Sequence, residues 1–594
     1  LCAIFGVVGK YETQTAQKAF QTLKHRGVDE SHIACDTSHF FGVHRLAINA
    51  INASYTQPLR HNTITFVMNG EVYNYRELAK ELNITTQSDT KVAFVAYQKW
   101  GDLFVNKLRG MFAIAILDGE TLKLFRDPLG KKPLFYRISQ DAIAFSSELK
   151  ALYALQPMKL NTMQLPVYLS YQSTIAPHTI DASCKQVEAG SYMIFKSDQS
   201  TQTHHYFDPL NTPISIHSET QAISQIKQTL IHSVQLRIPS EVSCGALLSG
   251  GLDSSLIAAI ASKETPLRTF SIGYDGYEQY DERPFATQVA KHIGSQHNTY
   301  NFTKEDFLET IEEVINVLDE PLGDPATIPL CFLLKQIQNE GIKVVLTGDG
   351  SDELFLGYKP YKEFLDLEQL ATLKHKQWMR HFLRSNYSMN KEWEWHKRIF
   401  EETTLFRSSA ELFSDLQQNR LLRMNVRDDN SLRAIEPLLG RFQKSKRTAP
   451  ADWYTFIDLH IQLSEVFLRK LDRTSMAHSI EARTPFLDKT LIETVFATDP
   501  SLRTAQMPKN WIKEIAKTYL PHSIIQRKKK GFNYPYLVWL QESGEIHTIT
   551  KVQERFGFFH KEHLFWLLSE AQKGKFQHQI FAIYMWCKWV EKKQ

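Results

Sequence analysis

The run Leu248-Ser249-Gly250-Gly251-Leu252-Asp253-Ser254-Ser255 has the residue types of an anion cradle. Two adjacent glycines let backbone N–H groups approach phosphate oxygens with no Cβ in the way, and three seryl hydroxyls add donors around them. Asp253 can hold magnesium against the same oxygens. Residues 242–248 predict a short buried strand and 255–261 a helix, so the loop falls at a helix N-terminus, where dipole and free amides favour phosphate. A Ser-Gly-Gly turn can equally be a plain tight connection. The lysine-bearing P-loop signature is absent, which points away from γ-phosphate transfer and towards release of pyrophosphate.

Two further clusters bear on chemistry. Leu346-Thr347-Gly348-Asp349-Gly350-Ser351-Asp352-Glu353 ends a strand-like run with another glycine-lined turn, and strand C-termini of parallel sheets collect ligands. Asp253 and Asp352 are expected to face each other across that crevice and share a magnesium ion, although either acid alone could be a helix cap. Lys529, in Arg527-Lys528-Lys529-Lys530-Gly531-Phe532, could offset charge on a phosphate; the alternative is a solvated basic turn. At the other end, Cys2 would carry a thiol nucleophile and a free α-amine base once residue 1 is removed, since an α-amine pKa of about 7.7 leaves a neutral fraction near pH 7. Leu1 would block that amine, and is read as a non-AUG start whose initiator methionine is trimmed. Ala3-Ile4-Phe5-Gly6-Val7-Val8-Gly9 is expected to bury Cys2 at the head of a strand.

The elements that must position these groups divide into two regimes. Before about residue 208, strand-like runs dominate, at 3–8, 40–44, 64–68, 111–117, 121–126 and 142–146, with helices at 15–25, 75–82 and 90–100, the last capped by Ser88 or Asp89. This mixture predicts α+β, with helices packed on antiparallel sheets. A polar stretch over 197–218 reads as a linker or a surface connection. Beyond it, helix 220–237, strand 242–248, helix 254–262, strand 267–273, helix 283–293 and strand 342–347 alternate, as in a parallel α/β sheet. From about residue 360 the pattern predicts a helical layer.

With 594 residues, two or more domains are expected. Hydrophobic content of 43% and charged content of 23% are those of a globular protein, and no 18-residue apolar run suggests a membrane span. The first twenty residues lack the pattern of a secretory signal, so a cytoplasmic setting is expected. The six cysteines, without a Cys-x-x-Cys spacing, disfavour a disulfide framework or a zinc site. A net charge of +4 gives no support for a dedicated nucleic-acid binder.

The second half resembles the asparagine synthetase branch of the PP-loop ATP pyrophosphatases. Further segments that carry the likeness are Thr269-Phe270-Ser271-Ile272-Gly273, Asp319-Glu320-Pro321, Lys470-Leu471-Asp472-Arg473 and Glu481-Ala482-Arg483-Thr484-Pro485-Phe486-Leu487-Asp488. The resemblance implies that Ser249, Gly250, Gly251, Asp253, Ser254 and Gly348 hold ATP phosphates, that Leu248 and Ile272 line an adenine pocket, and that Asp253 and Asp352 bind Mg2+. It also implies that Tyr358 and Lys529 sit near the activated carboxyl. One departure stands out. Asp349 occupies a place where this branch usually carries Glu, the base for ammonia, and a side chain one methylene shorter has less reach.

The first half resembles the class II, N-terminal-nucleophile glutamine amidotransferases, through His25-Arg26-Gly27, Gly42-Val43-His44-Arg45-Leu46, Asn69-Gly70-Glu71-Val72-Tyr73-Asn74, Ser88-Asp89-Thr90 and Arg126-Asp127-Pro128-Leu129-Gly130. The resemblance implies Cys2 as nucleophile, Asn69 and the Gly70 N–H as oxyanion hole, and Arg45, Leu46, Glu71 and Asp89 as the glutamine site. Val28 replaces a common Pro without removing a catalytic group. The expectation is a glutaminase domain of stacked antiparallel sheets at 2–208, and a PP-loop synthetase domain at 209–594 with a parallel sheet and a helical C-terminal layer. Glutamine, ATP and aspartate are the expected small-molecule partners, without nucleic acid or membrane, and a homodimer is compatible with this. A sugar acid or a peptide carboxylate is the alternative acceptor.

Overall fold

The computed structural model describes residues 2–51, 56–196, 200–370, 376–386, 388, 390–427, 429–505, 507–528, 531 and 533–593. Leu1 and Lys529 thus lie outside the described residues.

The first half is built from strands whose two faces bury different things. In Cys2–Gly9, Cys2 and Ile4 point into one core while Ala3, Phe5 and Val7 point into another, the two-residue period of a strand buried on both sides. Its sheet has six strands in the order Lys185–Gln186, Phe135–Ile138, Ala142–Ser146, Cys2–Gly9, His39–Arg45, Glu30–Cys35. A second six-stranded sheet runs Thr201–His205, Ser191–Phe195, Thr121–Arg126, Gly110–Asp118, Ile64–Val72, Leu59–His61. The strand pairs in both are antiparallel. Ile4, Val43, Val67, Ala113 and Leu124 interlock between the sheets. Helices Thr13–Gln21 and Leu149–Leu155 cover one outer face, and Tyr75–Glu81 and Asp89–Trp100 the other. Ser88 caps the last of these, accepting from the Lys91 N–H at 3.2 Å.

The polar stretch expected as a linker begins inside this sandwich. Thr201–His205 pairs with Ser191–Phe195 as an edge strand, exposed along its length. An edge strand needs backbone partners on one side only, so its side chains carry no apolar signal.

The second half holds a five-stranded parallel sheet in the order Gln296–Asn301, Arg268–Gly273, Cys244–Leu247, Val344–Leu346, Glu481–Arg483. The chain lays strands outward on one side of Cys244–Leu247, then returns to add Val344–Leu346 on the other. The strand order therefore reverses between these two, and such a reversal opens a crevice at their C-terminal ends. Helices dominate from Lys359–Gln369 to the buried Gln577–Lys593, including a stretch at Leu459–Phe467 with wider, π-type turns. No helix among the described residues is long and apolar enough to cross a membrane.

The halves meet through buried charge. Arg26 reaches Asp472 with two contacts of 2.8 and 3.0 Å, and Lys132 joins the same carboxylate at 2.9 Å. Arg109 and Arg237 converge on Asp488 at 2.8 and 3.0 Å. Leu46, Ile48, Tyr73 and Met111 of the first half belong to the same continuous apolar core as Leu248 and Leu346 of the second.

Candidate active sites

At the strand reversal, Cys244–Leu247 runs into the Ser249-Gly250-Gly251 turn, and Leu252–Ala261 starts straight after it. Gly250 has φ +70°, and a Cβ there would stand 2.5 Å from the Ala286 nitrogen, so glycine is demanded by both backbone conformation and packing. The Ser249 and Ser254 hydroxyls lie 3.0 Å apart, and the Ser249 hydroxyl takes the Gly251 N–H at 3.3 Å. These groups satisfy one another within the loop and are arranged around its concave side.

The loop borders a cavity of about 530 Å³, within the size range of small-molecule sites. Leu248, Ser249, Gly251, Asp253, Ser254, Ile272, Gly348, Asp349 and Asp352 all line it. Leu330 and Leu333 give it an apolar stretch, while Lys470, Lys513, Arg527 and Lys528 bring positive charge. Gly250 packs behind the turn and is not on the wall. Tyr358 is not on it either: its hydroxyl donates to Glu353 at 2.6 Å, and its ring lies 5.5 Å from that of Tyr361. Burial, reinforced by Asp352, pushes the Glu353 carboxyl up to about 8. Asp349 reaches the cavity but accepts from the Thr347 hydroxyl at 2.6 Å.

Sequence reasoning missed Lys509. Its ammonium lies 2.5 Å from Asp253 and 2.6 Å from Asp352, bridging the two carboxylates expected to share a metal. Burial alone would lower the Lys509 pKa; the two carboxylates reverse this and hold it above its usual value. Lys509 has φ +53° and lies within the cavity wall. Asp253 Oδ1 is buried with no hydrogen bond among the described residues, an oxygen that suits a cation. The donor set, two carboxylates with a cation already between them, fits magnesium.

The second site surrounds the head of Cys2–Gly9. Cys2, Arg45, Leu46, Gly70, Glu71 and Asp89 line one small pocket of about 30 Å³. Cross-strand pairing puts Cys2 opposite Arg45. Asn69 stands behind the pocket, fully buried, accepting from the Cys2 nitrogen at 3.2 Å and donating from Nδ2 to Ser147 at 3.4 Å. Gly70 has φ +153°, and a Cβ would collide with the Met111 carbonyl. Arg45 is anchored by Glu30 at 2.7 Å and by the Asn49 and Ala50 carbonyls at 2.9 Å.

The electrostatics of this pocket follow from burial. Desolvation raises the Cys2 thiol pKa, partly countered by Arg45. It pushes Glu71 up to about 8 against the nearby Arg483, and raises Asp89 although the Val72 N–H donates to it at 3.0 Å. Two carboxylates whose pKa values are raised by burial in one pocket gain from a cationic group beside them. Arg483 and Asn49, both on Glu71, carried no sequence signal for this role.

Residues 225–591 match the family model described as asparagine synthase. The chain belongs to the asparagine synthase family. Residues 1–207 match the model of a glutamine amidotransferase domain. Asparagine synthetase (glutamine-hydrolyzing) 1 of Bacillus subtilis is 30% identical over 617 residues, covering 99% of this chain and 96% of the relative. Asparagine synthetase B (glutamine-hydrolyzing) of Escherichia coli is 26% identical, covering 90% and 82%. A fungal relative from Gibberella zeae named amidase chry2 is 25% identical, covering 96% and 92%. Membership of the asparagine synthase family, with the amidotransferase domain attached, makes this chain an ATP-using, glutamine-hydrolysing amidotransferase.

Proposed function

We propose that the chain is a glutamine-dependent asparagine synthetase, with residues 2–208 as its glutaminase half and 209–594 as its synthetase half. The observation that carries this reading is the convergence of Asp253, Asp352 and Asp349 on one cavity at the strand reversal.

In the glutaminase half, Arg45 takes the α-carboxylate of glutamine, and Glu71 and Asp89 take its α-ammonium beside Leu46. With residue 1 absent, the Cys2 α-amine removes the thiol proton as Sγ attacks the amide carbon. Asn69 Nδ2 and the Gly70 N–H receive the oxyanion. The amine passes its proton to the leaving nitrogen, ammonia departs, and water cleaves the glutamyl thioester to glutamate and free thiol.

In the synthetase half, Leu248 and Ile272 hold adenine, and Ser249, Gly251, Ser254 and Gly348 surround the phosphates, with Gly250 shaping the turn from behind. Magnesium held by Asp253 and Asp352 would neutralise triphosphate oxygens. The β-carboxylate of aspartate attacks the α-phosphorus and pyrophosphate leaves, with Lys529 as counter-charge. Ammonia then attacks the acyl carbon, Asp349 takes its proton, and AMP departs with asparagine formed. We assign Tyr358 a supporting place behind Asp352, through Glu353. Ammonia, which bulk water would protonate, needs a sheltered route between the halves, and the apolar core they share lies between the two sites.

A second reading, in which the acceptor is a sugar acid or a peptide carboxylate, is favoured by the short Asp349 side chain and its bond to Thr347. Pyrophosphate release measured with a panel of acids separates the two, with the product identified by mass spectrometry. Aspartate should give the fastest release and yield asparagine. No response to aspartate, with a response to another acid, would overturn the first reading. Mass spectrometry of the N-terminus tests the start at Cys2: a retained first residue with full glutaminase activity contradicts the α-amine mechanism.

A further inference from the structure

Three side chains meet where helices Lys304–Val317 and Thr327–Asn339 pack against the end of Leu468–Ala477. Cys331 Sγ lies 3.5 Å from His478 Nε2, and the same ring nitrogen lies 3.5 Å from Glu313 Oε1. All three atoms fall within 4.8 Å of one another. Cys331 and His478 are buried, while the Glu313 side chain keeps 30% exposure, enough for an ion to enter past it.

As a hydrogen-bond cluster this arrangement serves the two buried groups through one thiol–imidazole contact and leaves the part-exposed Glu313 to Lys335 and solvent. One imidazole nitrogen offers either one proton or one lone pair, so it serves the thiol or the carboxylate but not both. A cation serves all three. In a tetrahedral zinc site, bond lengths of about 2.0–2.3 Å set ligand-to-ligand edges of roughly 3.4–3.6 Å. Two of the three edges, each 3.5 Å, already have that length, and the third lies within 4.8 Å. The half-exposed Lys335 bonds the other Glu313 oxygen, Oε2, at 3.2 Å and leaves Oε1 on the side of the cluster.

We propose that Glu313, Cys331 and His478 bind a divalent cation of the zinc class, with water as the fourth ligand. The Cys331 thiol gives its proton to solvent as the sulfur–metal bond forms. Thiolate and imidazole select zinc-class ions over magnesium, so this site is chemically distinct from the one at Asp253 and Asp352. It also has a structural consequence. Cys331 shares its helix with the cavity-lining Leu330 and Leu333, and His478 follows the helix that carries Lys470 and Leu471 to the same cavity. A metal here ties these two parts of the cavity wall together.

The test is cobalt titration of the full-length, metal-stripped protein, followed by zinc competition. One Co2+ per chain should produce sulfur-to-cobalt absorption in the near ultraviolet and the strong visible bands of four-coordinate cobalt, and one Zn2+ should bleach both. Cys331→Ser should lose the near-ultraviolet band. Glu313→Gln, at a partly exposed position safe for folding, should weaken cobalt affinity about tenfold or more with an unchanged circular dichroism spectrum. Absence of the near-ultraviolet band at one Co2+ per chain overturns the proposal. So does its persistence in Cys331→Ser, which would place the cobalt on another cysteine, such as the exposed Cys35.

Discussion

Arg483, at the end of an edge strand of the parallel sheet, directs its guanidinium across the domain boundary to Glu71, with Nη2 3.5 Å from Oε2. The Arg483 carbonyl accepts from the Thr347 N–H at 2.9 Å, and the Thr347 hydroxyl donates to Asp349 at 2.6 Å. A single residue thus stands between the pocket around Cys2 and the loop that carries Asp349.

Arg483→Met should therefore damage both the fold and the first half-reaction. Arg483 also binds Glu481, which is fully buried and has its pKa lowered by that contact against the burial that would raise it. Stranding such a charge costs roughly 3–5 kcal/mol. Urea denaturation should record a loss of that order, accompanied by weaker glutamine hydrolysis; a variant as stable as the parent would mean that Glu481 does not depend on this partner.

Glutamine affinity should depend on pH through Glu71. Burial raises this carboxyl from 4.5 to about 8, so the folded chain keeps a proton that the unfolded chain has lost. Its stabilising contribution is full below the unfolded value and is lost as pH rises towards the folded one. Recognition of an ammonium runs the other way, because it needs the carboxylate. KM for glutamine should fall several-fold between about pH 6.5 and 8.5, separately from the rise in kcat as the Cys2 α-amine deprotonates, and Glu71→Gln should flatten the KM profile. A flat KM in the parent protein would show that Glu71 is ionised throughout.

Lys509→Met should leave Asp253 and Asp352 repelling one another in the empty cavity. Thermal unfolding without nucleotide should shift down by several degrees, and millimolar Mg2+ should restore more of that loss in the variant than it adds to the parent. Equal responses to Mg2+ in both proteins would argue that the ion binds elsewhere.

Asp349→Asn should separate the two steps of the synthetase half. Adenylation needs no base at this position, so acid-dependent pyrophosphate release should persist, whereas amide formation should fall by roughly 10²–10⁴-fold. Asp349→Glu adds the missing reach and should raise the ratio of amide to pyrophosphate with aspartate. Parallel loss of both products in Asp349→Asn would remove Asp349 from the role of base.

Much of this architecture could be read from the chain because buried strands write strong patterns. Cys2–Gly9 and Gly110–Asp118 are apolar runs bounded by polar residues, and the turn after Cys244–Leu247 carries its own glycines. Strands with exposed faces write weak ones: Glu30–Cys35, Gln296–Asn301 and Thr201–His205 owe their pairing to neighbours distant in the sequence. Glu481–Arg483 has three residues, too few for any period. The same limit applies within the sites. Arg45, Glu71 and Asp253 sit in recognisable local runs, whereas Lys509 lies 256 residues from Asp253 and meets it only because the helix it caps, Asn510–Ala516, packs against Leu252–Ala261.

Lys509 also changes what it means for the synthetase cavity to fill. With an ammonium lodged between Asp253 and Asp352, an incoming divalent ion exchanges with a cation already in place, so the local field hardly changes sign during loading. Magnesium alone gains little from that exchange. Magnesium arriving on a nucleotide would gain more, because the displaced ammonium would find phosphate oxygens beside it. On the proposed reading the cavity would favour the complex over either component, and binding of metal and nucleotide would become one coupled event.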